Sequence, residues 1–285
     1  LSRALASSTR ITEVLKTDVD LTDENAGQKD KKVENGRVEF KNVSLTYSGS
    51  GAPSVEGINF KAMKGQTIGV IGGTGSGKSS LVNLIPRLYD ATQGEVLVDG
   101  VNVKEYDIET LRNKVGIVMQ KAVLFKGTIR ENMWMGKKGA TDEQIDEALE
   151  ISQSKEFVDS KEGRLDYPIE QGGKNLSGGQ RQRLTIARAI VRKPDVLILD
   201  DSASALDFAT DAALRKAIRG MNNSPTVFIV SQRAASLMYA DLIIVLDDGQ
   251  VAGMGTHDEL LANCEVYKEI YESQFKKADS EGGVA

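Results

Sequence analysis

The chain has 285 residues, and 36 Lys and Arg against 41 Asp and Glu give it a formal charge of −5. This length suffices for one or two domains with a large buried core, and the acidic balance disfavours nucleic acid and anionic membranes as partners. The single cysteine, Cys264, and the single histidine, His257, exclude a disulfide framework and a Cys/His zinc site within the chain.

The first 36 residues predict a helix followed by a linker. Leu5, Ile11 and Leu15 recur at nearly helical spacing, and residues 18–32 are almost entirely polar. A disordered end is the alternative interpretation. Because the chain begins with Leu1 and not Met, we expect a piece of a longer protein.

The strands predicted from the sequence are of two kinds. Residues 38–45 partly alternate between apolar and polar and are followed by turn-forming residues, which indicates a half-exposed strand pair. The runs Thr67–Ile71, Val196–Leu199 and Thr226–Val230 are short, apolar and rich in β-branched residues. Such runs are typical of parallel strands covered on both faces, so we predict an α/β fold with these three in the central sheet.

Two long helices are predicted between these strands. One covers Thr141–Phe157, with Thr141 as its cap, and the other covers Arg181–Arg192 and stops before Pro194. No structure is predicted for the polar tail, residues 276–285.

The stretch Gly72–Ser79 matches the phosphate-loop pattern G-x-x-x-x-G-K-[ST]. Glycines allow backbone N–H groups to surround an anion, Lys78 supplies a positive charge for terminal phosphates, and Ser79 offers a hydroxyl to Mg²⁺. A buried strand precedes the loop, and apolar residues at helical spacing up to Leu88 follow it, with Pro86 near the end of that helix. An ordinary glycine-rich turn is the alternative that this context disfavours.

The predicted strand Val196–Leu199 ends in two acids, Asp200 and Asp201. An acid in this position is often only a helix cap or a turn residue. Beside a phosphate loop, the first acid holds Mg²⁺ and the next orients the attacking water.

The segment Leu176-Ser177-Gly178-Gly179-Gln180 resembles the signature of the ATP-binding cassette (ABC) family. Its serine and glycines open a helix whose first N–H groups can bind phosphate. The resemblance covers roughly Val38–Phe275 and implies a P-loop NTPase (RecA-like) core sheet, an antiparallel β subdomain, and an α-helical subdomain near residues 121–180. It also implies that the signature acts on the ATP of a second subunit.

The resemblance assigns further roles. Tyr47 is similar to the aromatic residue that stacks on adenine, Gln120 to the residue that senses Mg²⁺, and Ser204 to Asp207 to the loop that crosses to the partner. Taken alone, Tyr47 and Gln120 are more often ordinary strand residues. The implied metal residues are Ser79, Gln120 and Asp200, and the implied ATP-binding residues are Tyr47, Gly72, Gly73, Thr74, Gly75, Ser76, Gly77, Lys78, Ser79 and Ser80.

The chain departs from the family pattern at the hydrolytic end. Asp201 stands where the family has Glu, Gln232 stands where it has the switch His, and Gln171 replaces a Glu upstream of the signature. The shorter acid should slow water activation, and a glutamine amide lacks the titration of an imidazole. We expect His257 to be a structural residue at a helix start.

Residues 124–132 and 1–16 resemble segments of exporters, and residues 1–16 resemble the cytoplasmic end of the last transmembrane helix. We therefore predict an ATP-hydrolysing exporter subunit with ATP and Mg²⁺ as ligands, a slow site of its own based on Asp201, Gln232 and Gln120, and a position at the cytoplasmic face of the membrane. The expected partners are a transmembrane domain and a non-identical second nucleotide-binding domain. A purely regulatory ATP-binding module is the alternative, and a soluble cassette ATPase acting on DNA or ribosomes is disfavoured. We predict that the chain consists of the end of a transmembrane-domain helix with a linker (1–36), a nucleotide-binding domain (37–275) and a flexible tail (276–285).

Overall fold

The computed structural model describes residues 2–17, 21–22, 35–202 and 205–281, and within them the strands form three sheets. The strands are β1 (Val38–Leu45), β2 (Val55–Ala62), β3 (Thr67–Gly72), β4 (Gln93–Val98), β5 (Val101–Asn102), β6 (Val115–Val118), β7 (Gly127–Thr128), β8 (Pro168–Ile169), β9 (Val196–Asp200), β10 (Thr226–Val230), β11 (Leu242–Asp247) and β12 (Gln250–Gly255). The α-helices are α1 (Ser2–Leu15), α2 (Lys78–Asn83), α3 (Ile108–Lys114), α4 (Ile129–Gly136), α5 (Asp142–Ile151), α6 (Lys155–Asp159), α7 (Gly178–Ile190), α8 (Phe208–Arg219), α9 (His257–Asn263) and α10 (Glu265–Glu281).

The core sheet has the order β12-β11-β3-β10-β9-β6. Five of its strands are parallel, and β12 pairs antiparallel with β11. The three predicted central strands, β3, β10 and β9, are neighbours, which confirms the predicted α/β fold. Because parallel strands end at one edge of a sheet, the segments that follow β3, β6, β9 and β10 meet there.

A four-stranded antiparallel sheet, in the order β2-β1-β4-β5, covers one face of the core sheet, as the family resemblance implied. Phe40 of β1 stacks on Phe60 of β2 with ring centroids 4.5 Å apart. Phe60 also contacts Phe228 of β10 at 6.1 Å. These buried aromatic rings join the two sheets through one apolar cluster that also includes residues of α2.

The opposite face of the core sheet carries α7, α8 and a helical region that contains α4, α5 and α6. The helix predicted over Thr141–Phe157 is divided into α5 and α6. Gln153 lies between them in the left-handed region, with φ 60°, and the Ser152 and Ser154 hydroxyls hydrogen-bond at 2.9 Å. Buried serine hydroxyls that bond to each other and to nearby backbone offer the chain an alternative to a continuous helix.

Two other helix ends differ from the prediction. Helix α2 ends at Asn83, not Leu88, and turns precede Pro86, which lacks the N–H that a helix interior needs. Helix α10 continues to Glu281, six residues into the predicted tail, since Lys, Ala and Glu favour helix and glycine first occurs at position 282. The linker residues 18–20 and 23–34, Ser204 and the last four residues lie outside the described residues. None of the described helices combines the length and the apolar character needed to cross a bilayer.

Candidate functional site

The phosphate loop connects β3 to α2, as the sequence predicts. Gly77 caps α2 with φ 93°, and a Cβ added there would lie 2.7 Å from Val55 Cγ1 and still closer to the Ser54 carbonyl oxygen. At Gly75, by contrast, an added Cβ would meet no atom within 4 Å. The loop is therefore packed tightly against β2 on one side and open on the other, where a ligand can approach its backbone.

The Lys78 ammonium lies inside this loop. Its Nζ donates to the carbonyl oxygens of Gly72 at 2.9 Å and Gly73 at 2.5 Å. Burial lowers the pKa of Lys78, while the nearby charges of Asp200 and Asp201 act in the opposite direction. A partly desolvated cation surrounded by loop backbone is suited to an anion with several oxygens.

The two acids, Ser79 and Gln120 meet at the edge where the core strands end. Asp200 is buried, and burial raises its pKa, while a hydrogen bond from the Ser79 side chain lowers it. Asp201 has φ 43°, and its N–H donates to the Val230 carbonyl at 2.9 Å. Gln120 Nε2 donates to Asp201 Oδ2 at 3.3 Å. Of the residues predicted to hold the metal, Ser79 and Asp200 are in contact, whereas Gln120 contacts the second acid.

The oxygens of Ser79 and Asp200 fit a divalent cation of the magnesium type. Mg²⁺ is usually bound through one or two carboxylates, water and substrate phosphates, and not by a cage of protein ligands. In the described part of the chain, no group of three or more His, Cys, Asp or Glu could hold a metal ion. The donor set thus suits a cation that arrives with a phosphate compound.

Tyr47 lies beside the first turn of α2. Its hydroxyl donates to Ser80 Oγ at 2.9 Å, and its ring packs edge-on against Tyr89 with centroids 4.9 Å apart. The structure thus brings Tyr47, two residues after the end of β1, next to the phosphate loop. Stacking of this ring on an adenine stays a prediction.

The segment 232–236, here called the switch loop, follows β10. Gln232 is exposed and comes two residues after the strand. Gln274 of α10 holds the loop by both ends of its amide, because Nε2 donates to the Gln232 carbonyl at 2.7 Å and Oε1 accepts from the Ala234 N–H at 2.9 Å. The sequence analysis missed Gln274, since a single polar residue on a helix near the chain end has no motif to identify it.

The signature begins α7 and forms a capping box. Ser177 Oγ accepts from the Gln180 N–H at 3.2 Å, and Gln180 Oε1 accepts from the Ser177 N–H at 3.0 Å. The Arg181 guanidinium donates to the Leu176 carbonyl at 2.6 Å. These hydrogen bonds all lie within residues 176–181, at the start of α7. A Cβ on Gly179 would lie 3.3 Å from the Ala205 carbonyl, which places the signature beside the predicted interface loop.

Asp207 caps α8. Its carboxylate accepts from the Thr210 N–H and hydroxyl, both at 2.8 Å, and the backbone bond from Thr210 is the main reason that its pKa is lowered. Its role at an interface stays a prediction. Gln171 is exposed at the start of a short 3₁₀ turn. His257 begins α9, as expected, and its Nδ1 hydrogen-bonds the Tyr267 hydroxyl at 2.8 Å.

Comparisons with known proteins agree with this geometry. The family model described as ABC transporter matches residues 55–204. The chain is 42% identical over 280 residues to an uncharacterized ABC transporter ATP-binding protein, YfiB, of Bacillus subtilis (strain 168), covering 98% of this chain and 48% of that protein. It is 38% identical over 242 residues to a putative multidrug export ATP-binding/permease protein of Staphylococcus aureus (strain NCTC 8325 / PS 47), covering 85% of this chain and 42% of that protein.

A solved structure of a bacterial Atm1-family ABC exporter with ATP bound is also similar. It superposes with a TM-score of 0.86 at 29% identity, over 96% of this chain and 48% of that one. The chain therefore spans about half the length of the proteins it matches.

Proposed function

Because the chain belongs to the ABC transporter family, we propose that it is the nucleotide-binding domain of an exporter, and that it binds and hydrolyses ATP with Mg²⁺. Two similar proteins support the assignment, one being named as a putative multidrug export ATP-binding/permease protein and the other described as an ABC exporter with ATP bound. The transported substrate would cross a transmembrane domain that joins this domain on the cytoplasmic face of the membrane. Closure of two such domains on ATP would drive the membrane helices.

The observation that carries the proposal is the position of the Lys78 ammonium within a backbone cradle beside Asp200 and Ser79. The loop amides and Lys78 would hold the phosphates, and Tyr47 would support the base. When bound, Mg²⁺ supplies positive charge to the terminal phosphate oxygens, and Ser79 and Asp200 would hold it. Asp201 would accept a proton from the attacking water, with Gln120 holding its carboxylate.

The nucleotide proposal is tested by calorimetry with magnesium ATP on the intact chain. Lys78→Ala should abolish measurable binding, because it removes the ammonium that lies inside the phosphate loop. Lys138 is an exposed lysine on the helical region, so Lys138→Ala is the matched control and should bind like the parent. If Lys78→Ala bound magnesium ATP as tightly as the parent chain, the nucleotide proposal would be wrong.

We further propose that hydrolysis at this site is slow. Asp201 has one methylene less than the Glu that the family resemblance implies, and a displacement of about 1 Å can cost roughly 10²-fold in rate. Gln232 can donate a hydrogen bond to a terminal phosphate, but it cannot titrate as an imidazole does. Such a site suits one half of an asymmetric pair, in which the signature of this chain completes the faster site of a non-identical partner.

A regulatory ATP-binding module without hydrolysis is the second candidate, and the same two side chains favour it. The double variant Asp201→Glu with Gln232→His separates the two, measured as ATPase activity of the assembled transporter. A gain of roughly tenfold or more indicates a slow enzyme whose remaining machinery is intact. An unchanged rate with normal ATP binding favours the binding module.

The role proposed for the signature has its own test. Ser177→Arg places a long cation at the start of α7, where Ser177 now caps the helix. Since such a change also removes a cap, Ser177→Ala serves as the control for the lost hydrogen bond alone, worth about 1 kcal/mol. ATPase activity of the complex should fall far more with Arg than with Ala. Equal activities would argue against a signature that serves the partner site.

A further inference from the structure

A cavity of about 380 Å³ lies between α8 and the segment that follows β10, away from the phosphate loop. Buried side chains of the core sheet form its floor: Leu199, Val227 and Ile229. Phe208 and Tyr239 stand at its mouth and are 80% and 77% exposed. Ligand cavities are typically about 300–1,000 Å³ and mostly apolar, so this one is large enough for a small molecule.

The rim of the cavity is positively charged. Three cations of α8 line it, Arg215, Lys216 and Arg219, against one carboxylate, Asp211. Arg215 pairs with Asp211 at 2.7 Å, which neutralises that acid. Lys216 is exposed, and within the described residues no carboxylate forms an ion pair with it. An apolar cavity with an excess of cations at its edge favours a ligand that is apolar over most of its surface and anionic at one end.

The cavity also borders the switch loop. Ala235 and Ser236 form part of its wall, and Arg215 donates to the Ser236 carbonyl. Arg219 donates to the Tyr239 carbonyl, so α8 holds the segment that follows β10 at two points. Leu199 on the floor directly precedes Asp200 in β9. A molecule in the cavity would therefore contact elements that also form the candidate nucleotide site.

We propose that this cavity binds a small amphipathic anion, such as a medium-chain carboxylate, with the tail over the β10 floor and the anionic group near Lys216. Binding there restricts the switch loop and alters the affinity for nucleotide. By thermodynamic linkage, nucleotide alters the affinity for the anion by the same factor. The binding site is independent of the proposed function, whereas the linkage rests on it.

Octanoate is the probe, titrated into the intact chain by calorimetry. We expect saturable binding of one octanoate per chain, and weaker binding of an octyl trimethylammonium cation with the same tail. Ala212 lines the cavity and Ala213 does not, although both are exposed on α8. Ala212→Trp should therefore lower octanoate affinity by roughly tenfold or more, while Ala213→Trp should leave it unchanged.

The charge is tested by a second matched pair. Lys216→Glu should weaken octanoate binding roughly 2- to 5-fold, and Lys138→Glu, the same charge change elsewhere, should not. Thermal unfolding of each variant shows whether it is folded, and both alanine positions are exposed enough to accept a tryptophan. The site is refuted if octanoate does not saturate, or if both tryptophan variants bind it equally well. Equal effects of the two glutamate variants, or equal binding of the cationic probe, would refute recognition of an anion.

The linkage is measured by titrating magnesium ATP with and without saturating octanoate. A change of at least twofold in ATP affinity, lost in Ala212→Trp, supports it. An unchanged ATP affinity with octanoate bound refutes the linkage alone. If no ATP binds under either condition, the proposed function fails, while octanoate binding still decides whether the cavity is a site.

Discussion

Removing the Gln274 amide should loosen the switch loop. In the structure this amide accepts from the Ala234 N–H at 2.9 Å and donates to the Gln232 carbonyl at 2.7 Å. A hydrogen bond of this kind contributes about 0.5–1.5 kcal/mol net. Gln274→Ala removes two such bonds, about 1–3 kcal/mol together, and about 1.4 kcal/mol corresponds to a factor of ten. The equilibrium for local opening at Ala234 should therefore rise by roughly 5- to 140-fold.

Amide hydrogen exchange of Ala234, followed by NMR, measures this directly under conditions where the rate reports the opening equilibrium. Ser273 is the matched control, because its exposed hydroxyl bonds to the Ile270 carbonyl of its own helix, α10. Ser273→Ala should leave exchange at Ala234 unchanged. Gln274→Glu keeps an acceptor for the Ala234 N–H but cannot donate to the Gln232 carbonyl, so its exchange should lie between the parent and Gln274→Ala.

Exchange at Ala234 that is equally slow in the parent and in Gln274→Ala would refute the argument. It would mean that packing of the loop on α8, and not the amide of α10, determines its stability. A faster exchange throughout α10 in Gln274→Ala would instead indicate that the helix itself has undocked.

Three other predictions concern stability. Gly77→Ala should lower the free energy of unfolding, measured by urea denaturation, by roughly 2–5 kcal/mol, because φ is 93° and the added Cβ would overlap β2. Gly75→Ala is the control, since φ is 82° but the added Cβ would meet open space, and it should cost about 1 kcal/mol. Thr141→Ala should cost about 1 kcal/mol in the same assay through loss of its capping bond to Gln144, and no loss would refute that role. Burial raises the pKa of Tyr267 to about 12 from its ordinary value of 10.0. The unfolded chain therefore loses this proton first, so the stability that Tyr267 contributes should decline as pH rises from 10.0 to about 12, and Tyr267→Phe should show a smaller decline.

Local patterns made much of the fold predictable. The run Thr67–Ile71 is apolar and ends at the glycines of the phosphate loop, so both the strand and the loop follow from neighbouring residues. Thr141 was predicted as a helix cap, and the structure has the full capping box between Thr141 and Gln144. These features depend on interactions within a few residues, which a single sequence displays.

Features that depend on distant contacts were not predictable. Gln274 bonds to a loop about 40 residues earlier, and nothing in its neighbours indicates that partner. The break near Gln153 contains neither proline nor glycine, yet Arg183 donates to the Gln153 carbonyl at 2.6 Å from another helix. The cavity beside α8 is lined by residues of α8, of three core strands and of the segment that follows β10, which tertiary packing brings together. In each case the deciding interaction joins residues that are far apart in sequence.

Asp201 and Gln232, two of the three departures from the pattern that the family resemblance implies, differ in kind. Gln274 of α10 bonds to the backbone of Gln232, and Arg215 of α8 bonds to the backbone of Ser236. A different side chain at position 232 would therefore leave the backbone of the loop in the same position. Gln in place of His at position 232 therefore changes the chemistry of the side chain more than the position of its backbone. Asp201 is also fixed by its backbone, through the bond to Val230, but there the missing methylene shortens the reach of the carboxylate itself.

Since both side chains would act on the same terminal phosphate and attacking water, their effects should not add. A longer acid brings the base nearer to the water, and an imidazole then stabilises the charge that this base helps to create. In a double-mutant cycle of Asp201→Glu and Gln232→His, ATPase activity should thus rise more in the double variant than the product of the two single gains. A coupling energy of at least about 0.5 kcal/mol is expected for residues in one network. A cycle that closes with independent effects would mean that the two residues limit different steps, and any slow hydrolysis at this site would then need a cause outside this pair.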